Sequence, residues 1–169
     1  MKIELIQPFI NSTDAVLAEM LQGEVEITTV AMSEEVYRRK GIAASVAIRG
    51  DIVGHVIFDL EPETARRVAA ALAGGEVDAS ELMAGETVCE LANIVVGNAV
   101  TLLNDQGYSF KVSPPLTHTA ETGFAGDIQS EALVMCFDTP SGKAYLNIAM
   151  DYGHQEGVRA SEASHERAI

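Results

Sequence analysis

Two long stretches of this chain repeat apolar residues at helical spacing, and between them lie shorter runs where apolar and polar positions alternate. Across residues 8–22, Phe9, Ile10, Val16, Leu17, Met20 and Leu21 recur every three to four positions behind a cap at Ser12 or Thr13, as in an amphipathic helix. Gly23 is expected to end it. From 24 to 31, Val25, Ile27 and Val30 sit among polar neighbours and read as a strand. The charged run 33–40, with Glu34, Glu35, Arg38, Arg39 and Lys40, reads as a solvated loop. Two β-rich runs, 42–48 and 52–60, flank Arg49-Gly50-Asp51, a hairpin signal.

Glu61-Pro62-Glu63 opens a short Ala-rich helix, with Pro in the first turn and acids at the positive end of the helix dipole. Gly74-Gly75 closes it. A second long helix follows from 80 to 104, then strands at 108–112 and 116–120, a loop over 121–129, and a final pair of strands at 131–137 and 144–150. The last two are joined through Asp138-Thr139-Pro140-Ser141-Gly142. Beyond Tyr152 the chain is polar.

The two halves share this order: a long helix, a Gly, a strand, then a hairpin whose second strand follows a Gly (Gly54-His55-Val56 and Gly142-Lys143-Ala144). The repeat is one of pattern rather than sequence. It predicts an α+β fold, a duplicated helix-plus-antiparallel-strands unit forming one sheet with the long helices on one face. A single domain over 1–152 and a polar C-terminal tail over 153–169 follow from the same reading.

Composition narrows the partners. With 11 basic and 25 acidic residues among 169, the net charge is −14, which excludes nucleic-acid binding by phosphate neutralisation and docking on an anionic membrane. Hydrophobic residues make up 47% and aromatics 5%, enough for an aliphatic core. Cys89 and Cys136 are far apart, form no CxxC or metal-ligand pattern, and read as buried free thiols. Met1-Lys2-Ile3-Glu4 does not read as a signal peptide, and no apolar stretch approaches the roughly 20 residues that span a bilayer. A cytoplasmic protein is expected.

The second long helix carries the candidate chemistry. Projected at about 100° per residue, Val88, Leu91, Ala92, Val95, Ala99, Leu102 and Leu103 fall on one apolar face. Glu86, Glu90, Asn93, Gly97 and Thr101 fall opposite, at spacings of three and four. Asn and Gly are both poor mid-helix choices, Gly costing roughly 1 kcal/mol relative to Ala. A Gly on an outward stripe suggests that another backbone comes close there. The stripe holds no nucleophile–base pair, but an amide can hold a water by donor and acceptor together.

Glu90-Leu91-Ala92-Asn93, continued by Ile94-Val95-Val96-Gly97-Asn98-Ala99, resembles the active helix of the CheC/CheX/FliY chemotaxis phosphatases, whose motif is Glu, two residues, Asn, then 21 or 22 residues and Pro. Here 21 residues separate Asn93 from Pro115. Only the second helix bears the motif, since Asn11 and Asp14 on the first do not make an ExxN; this is similar to CheX more than to the two-site CheC. Where the family often places Asp or Ser four residues before the motif Glu, this chain has Glu86.

The resemblance implies a phosphatase acting on the aspartyl phosphate of a CheY-type response regulator. Asn93 would orient the attacking water, and Glu90 would pair with a receiver Lys. Glu86, Gly97 and Pro115 would contact the partner, with Gly97 letting its loops approach. The protein would need no cofactor of its own, the Mg²⁺ being carried by the regulator. It also implies a homodimer through sheet edges, consistent with the need of natural sheets to cover or pair their edges.

Other candidates carry less. His55, His118, His154 and His165 lie in different elements without ligand spacing, and the glycines of Thr122-Gly123-Phe124-Ala125-Gly126-Asp127 do not form a phosphate cradle. A reading from another class keeps the fold and drops the hydrolysis: a non-catalytic module that binds a receiver domain or other signalling partner.

Overall fold

The computed structural model describes residues 1–75, 79–119 and 131–153. The elements run α1 (Ile3–Leu21), β1 (Glu26–Ser33), β2 (Ile42–Gly50), β3 (Ile52–Leu60), α2 (Pro62–Leu72), α3 (Glu81–Asp105), β4 (Phe110–Val112), β5 (Leu116–His118), β6 (Ala132–Thr139) and β7 (Gly142–Tyr152). The strands form one antiparallel sheet in the order β1-β6-β7-β3-β2-β4, with β5 pairing β2 beside β4. The expected α+β class holds.

The duplication is visible in that order. The hairpins β2–β3 and β6–β7 meet at the centre, where Val56 lies opposite Ile148. Each half's remaining strand crosses to the other half's hairpin: β1 pairs β6 over seven aligned positions, and β4 and β5 pair β2. The edge opposite β1 is broken at residues 113–115 because Pro114 and Pro115 have no N–H to give the ladder. Ser113 bridges the gap, donating its N–H to Ala47 O at 2.9 Å and accepting from Ala47 N at 2.8 Å.

Alternation along the strands decides which face is covered. Ile42, Ala44, Val46 and Ile48 of β2, Val56, Phe58 and Leu60 of β3, and Leu146, Ile148 and Met150 of β7 join one core with α1 and α3. By length and composition α3 could cross a bilayer, with a mean hydropathy of 1.3 over its best 18-residue window, contrary to the expectation that no such stretch exists. In this fold it is the central packing helix, with Val88, Leu91, Ala92, Val95, Val96, Ala99 and Leu103 buried.

The other face is partly covered by the segment between β1 and β2. Tyr37 packs on Ala43 and Ile57. Its hydroxyl donates to Asp59 Oδ2 at 2.9 Å, and the same carboxylate accepts from the N–H groups of Lys40 and Gly41. Part of the run expected to be a solvated loop is therefore anchored.

Several local expectations are corrected. The first helix begins at Ile3, not at 8, and passes through Pro8. Ser12 and Thr13 are buried in its middle and are not caps: Ser12 donates to Val95 O at 2.9 Å and Thr13 to Phe9 O at 2.8 Å. Gln22, with φ 50°, takes the left-handed position at its end, one residue before Gly23. Leu102, expected on the apolar face, is exposed. Cys136 is buried, but Cys89 is only half-buried. His55 Nε2 lies 2.8 Å from Asn147 Oδ1 and His118 Nε2 lies 2.7 Å from Ser45 Oγ, two separate polar pairs. The glycine-bearing loop over 121–129, His154, His165 and the tail beyond Gly153 lie outside the described residues.

Candidate functional site

Ser80 starts α3 by accepting the N–H of Met83 at 3.2 Å, a side-chain N-cap. From that fixed start the helix turns Glu86, Glu90, Asn93 and Gly97 onto one exposed face. Behind them Val95 and Ala99 are buried, as the helical projection required. Among the described residues, the side chains of Glu86, Glu90 and Asn93 make no hydrogen bond or ion pair. Apart from its own helix, no described residue lies within 4 Å of where a Cβ would stand on Gly97. The face is thus a row of open polar groups on a rigid support.

Pro115 is not on this helix. It is half-buried on the broken sheet edge, which runs alongside α3: Thr117 Oγ1 lies 2.9 Å from Cys89 Sγ, the residue before Glu90. The structure therefore gathers Glu86, Glu90, Asn93 and Gly97 on one helix face and sets Pro115 on the neighbouring strand segment. Among the described residues, no group of three His, Cys, Asp or Glu is arranged to hold a metal ion.

The duplicated helix supplies an internal contrast. On α1, Glu4, Gln7 and Asn11 are exposed at the spacing of Glu90, Asn93 and Gly97, and Leu5, Ile6, Phe9 and Ile10 are buried between them. There the polar groups are engaged: Gln7 Nε2 donates to Asn11 Oδ1 at 2.8 Å, and Glu4 Oε1 accepts from Tyr152 at 3.0 Å. Gly97 stands where α1 has Asn11, so the Asn93 amide has no such acceptor one turn on. The Glu4-x-x-Gln7 spacing was readable in the sequence, but a helix start placed at residue 8 hid it.

Comparison with known proteins gives a consistent answer. The family model for chemotaxis phosphatase CheX matches residues 42–137, more than half of the chain. No curated protein sequence matches. Among solved structures, a CheC-like superfamily protein from Shewanella superposes with a TM-score of 0.76 at 22% identity, over 89% of this chain and 99% of that one. Chemotaxis protein CheX from Vibrio vulnificus gives 0.74 at 19% identity, over 88% and 99%. The CheX of a CheX–CheY–BeF3–Mg²⁺ complex from Borrelia burgdorferi gives 0.71 at 33% identity, again over 88% and 99%. With a family model covering most of the sheet and the helix that bears the motif, the chain belongs to the CheX family of chemotaxis phosphatases.

Proposed function

We propose that this protein hydrolyses the aspartyl phosphate of a CheY-type response regulator in the cytoplasm, with Asn93 orienting the attacking water. The observation that carries this reading is the open Glu90–Asn93 pair on α3, in a chain 33% identical to the CheX of a CheX–CheY complex. Phosphoryl transfer needs little covalent help: the nucleophile must be held in line and charge on the phosphoryl oxygens must be balanced. Mg²⁺ on the regulator would supply that charge. An amide both donates and accepts, so Asn93 fits the task of fixing a water's orientation. Glu90, one turn earlier, would pair with a receiver Lys and set the register of docking. Gly97 would give the partner's loops room, Glu86 would extend the contact, and Pro115 would shape the adjoining edge.

The same proposal includes a homodimer through a sheet edge. β1 is an outer strand of eight residues, none of them buried, on which Ile27, Val30 and Met32 are exposed. An edge of that kind invites pairing with a second copy. Light scattering at tens of micromolar should return a dimer mass.

The deciding experiment charges the receiver encoded nearest to this chain with acetyl phosphate in Mg²⁺ and follows phosphate release. Wild type should shorten the phosphoryl half-life and Asn93→Ala should not. Binding without a change in half-life would leave the non-catalytic module, and equal hydrolysis by both would remove Asn93 from the mechanism.

A further inference from the structure

Glu86 stands on a ridge between two apolar grooves. One, of about 320 Å³, lies between α3 and β5 and is lined by Leu82, Gly85, Thr117 and Thr119 together with Glu81 and Glu86. The other, of about 420 Å³, lies between α2 and α3; Leu72, Ala73, Met83 and Thr87 line it beside Glu86 and Glu90. Leu82 is 73% exposed, more than any other large apolar side chain among the described residues, and Leu72 is 41% exposed. None of Glu81, Glu86 and Glu90 takes part in an ion pair among the described residues.

We infer that the two grooves are the specificity contact for the regulator, receiving apolar side chains on either side of a Lys or Arg that pairs with Glu86. This rests on the phosphatase reading, and it assigns partner choice to residues distinct from Asn93. Three features of the surface favour a receiver segment as the occupant. The grooves continue the open polar row of Glu90 and Asn93. Their rims are acidic in a chain of net charge −14, so a basic element is complementary. Glu86 precedes Asn93 by seven residues, about 10 Å along the helix, so a partner docked over Asn93 overlies the ridge as well. Exposed apolar side chains rimmed by polar groups mark a protein–protein contact.

The test uses Leu82→Gln and Leu72→Gln, polar substitutions that keep good helix formers at exposed positions, with Leu82→Met as the conservative control. Binding to the beryllofluoride-activated receiver in Mg²⁺ is measured by calorimetry, and hydrolysis by steady-state kinetics. Each Gln variant should raise Kd and KM about tenfold, the scale of one leucine's burial. Leu82→Met should restore binding, and kcat should stay within about twofold of wild type. Unchanged Kd and KM in both variants would overturn the inference and leave the phosphatase reading standing. If wild type binds the receiver without hydrolysing its phosphate, that reading falls, and the Kd comparison still decides the grooves. Failure of wild type to bind any activated receiver would remove both.

Discussion

Ser12 of α1 donates its hydroxyl to the carbonyl oxygen of Val95 in α3 at 2.9 Å, in a buried seam between the two long helices. Val95 sits two residues after Asn93, so this bond ties the support of the open amide to the other half of the molecule. Ser12→Ala should lower stability by about 1 kcal/mol, the scale of one buried hydrogen bond. A chemical-denaturation midpoint shifted down with unchanged m-value would show it, and receiver binding should be intact once the protein is folded.

Asn93→Ala removes a short amide from an exposed position and should leave the melting temperature within about 1 °C of wild type. Holding a water in line is a transition-state task, so kcat should fall about 100-fold with little change in Kd for the activated receiver. A large rise in Kd instead would mean that Asn93 serves docking.

Glu90→Ala should behave differently. It removes a charge placed to meet a receiver Lys, so binding should weaken about fivefold, the scale of an exposed pair. Wild-type affinity should also fall as salt rises from 50 to roughly 300 mM, while the Glu90→Ala variant shows a shallower dependence. Equal salt slopes would separate Glu90 from any charge pair.

Gly97 sets stability against function. No described residue outside its own helix fills its Cβ space, so Gly97→Ala should stabilise α3 by about 1 kcal/mol while weakening receiver binding through lost room for the partner's loops. Gly97→Asn should in addition lower kcat, because its side chain can hold Asn93 as Asn11 holds Gln7. A Gly97→Ala variant that binds and turns over like wild type would show that the glycine is not needed for approach.

His55 gives a pH test. Burial lowers its pKa below the ordinary 6.5, opposed in part by its bond to Asn147. The unfolded chain then binds a proton that the folded one refuses, so stability rises with pH up to about 6.5 and is lost on acidification below it. His55→Gln should flatten the stability profile between about pH 5 and 7 relative to wild type, read from denaturation midpoints at each pH.

Much of this was legible in the chain. The stripe Glu86, Glu90, Asn93 and Gly97 was fixed by helical period alone, because Val88, Leu91, Val95 and Ala99 leave one side for the core. Both hairpins followed from alternation and glycine position. What escaped depended on contacts between distant segments. Pro8 and the hydroxyls of Ser12 and Thr13 look like a helix start to local rules, yet the hydroxyls find acceptors in a neighbouring helix and the preceding turn. Tyr37 was hidden in a charged run because its anchor, Asp59, lies 22 residues away. The grooves beside Glu86 need α2, α3 and β5 assembled before they exist.

The exchange of outer strands has a consequence for how such a chain can arise and fold. Neither half is a finished object: severed near residue 75, the first would hold a hairpin whose inner edge has lost β7 and a β1 that has lost β6. A half-length polypeptide of this pattern could close the sheet only by meeting another copy, each lending its single strand to the other's hairpin. Fusing the two copies turns that encounter into a loop closure within one molecule, at a local concentration no dilution can lower. It also frees the two helices to differ, one keeping its row of polar groups open and the other tying them down.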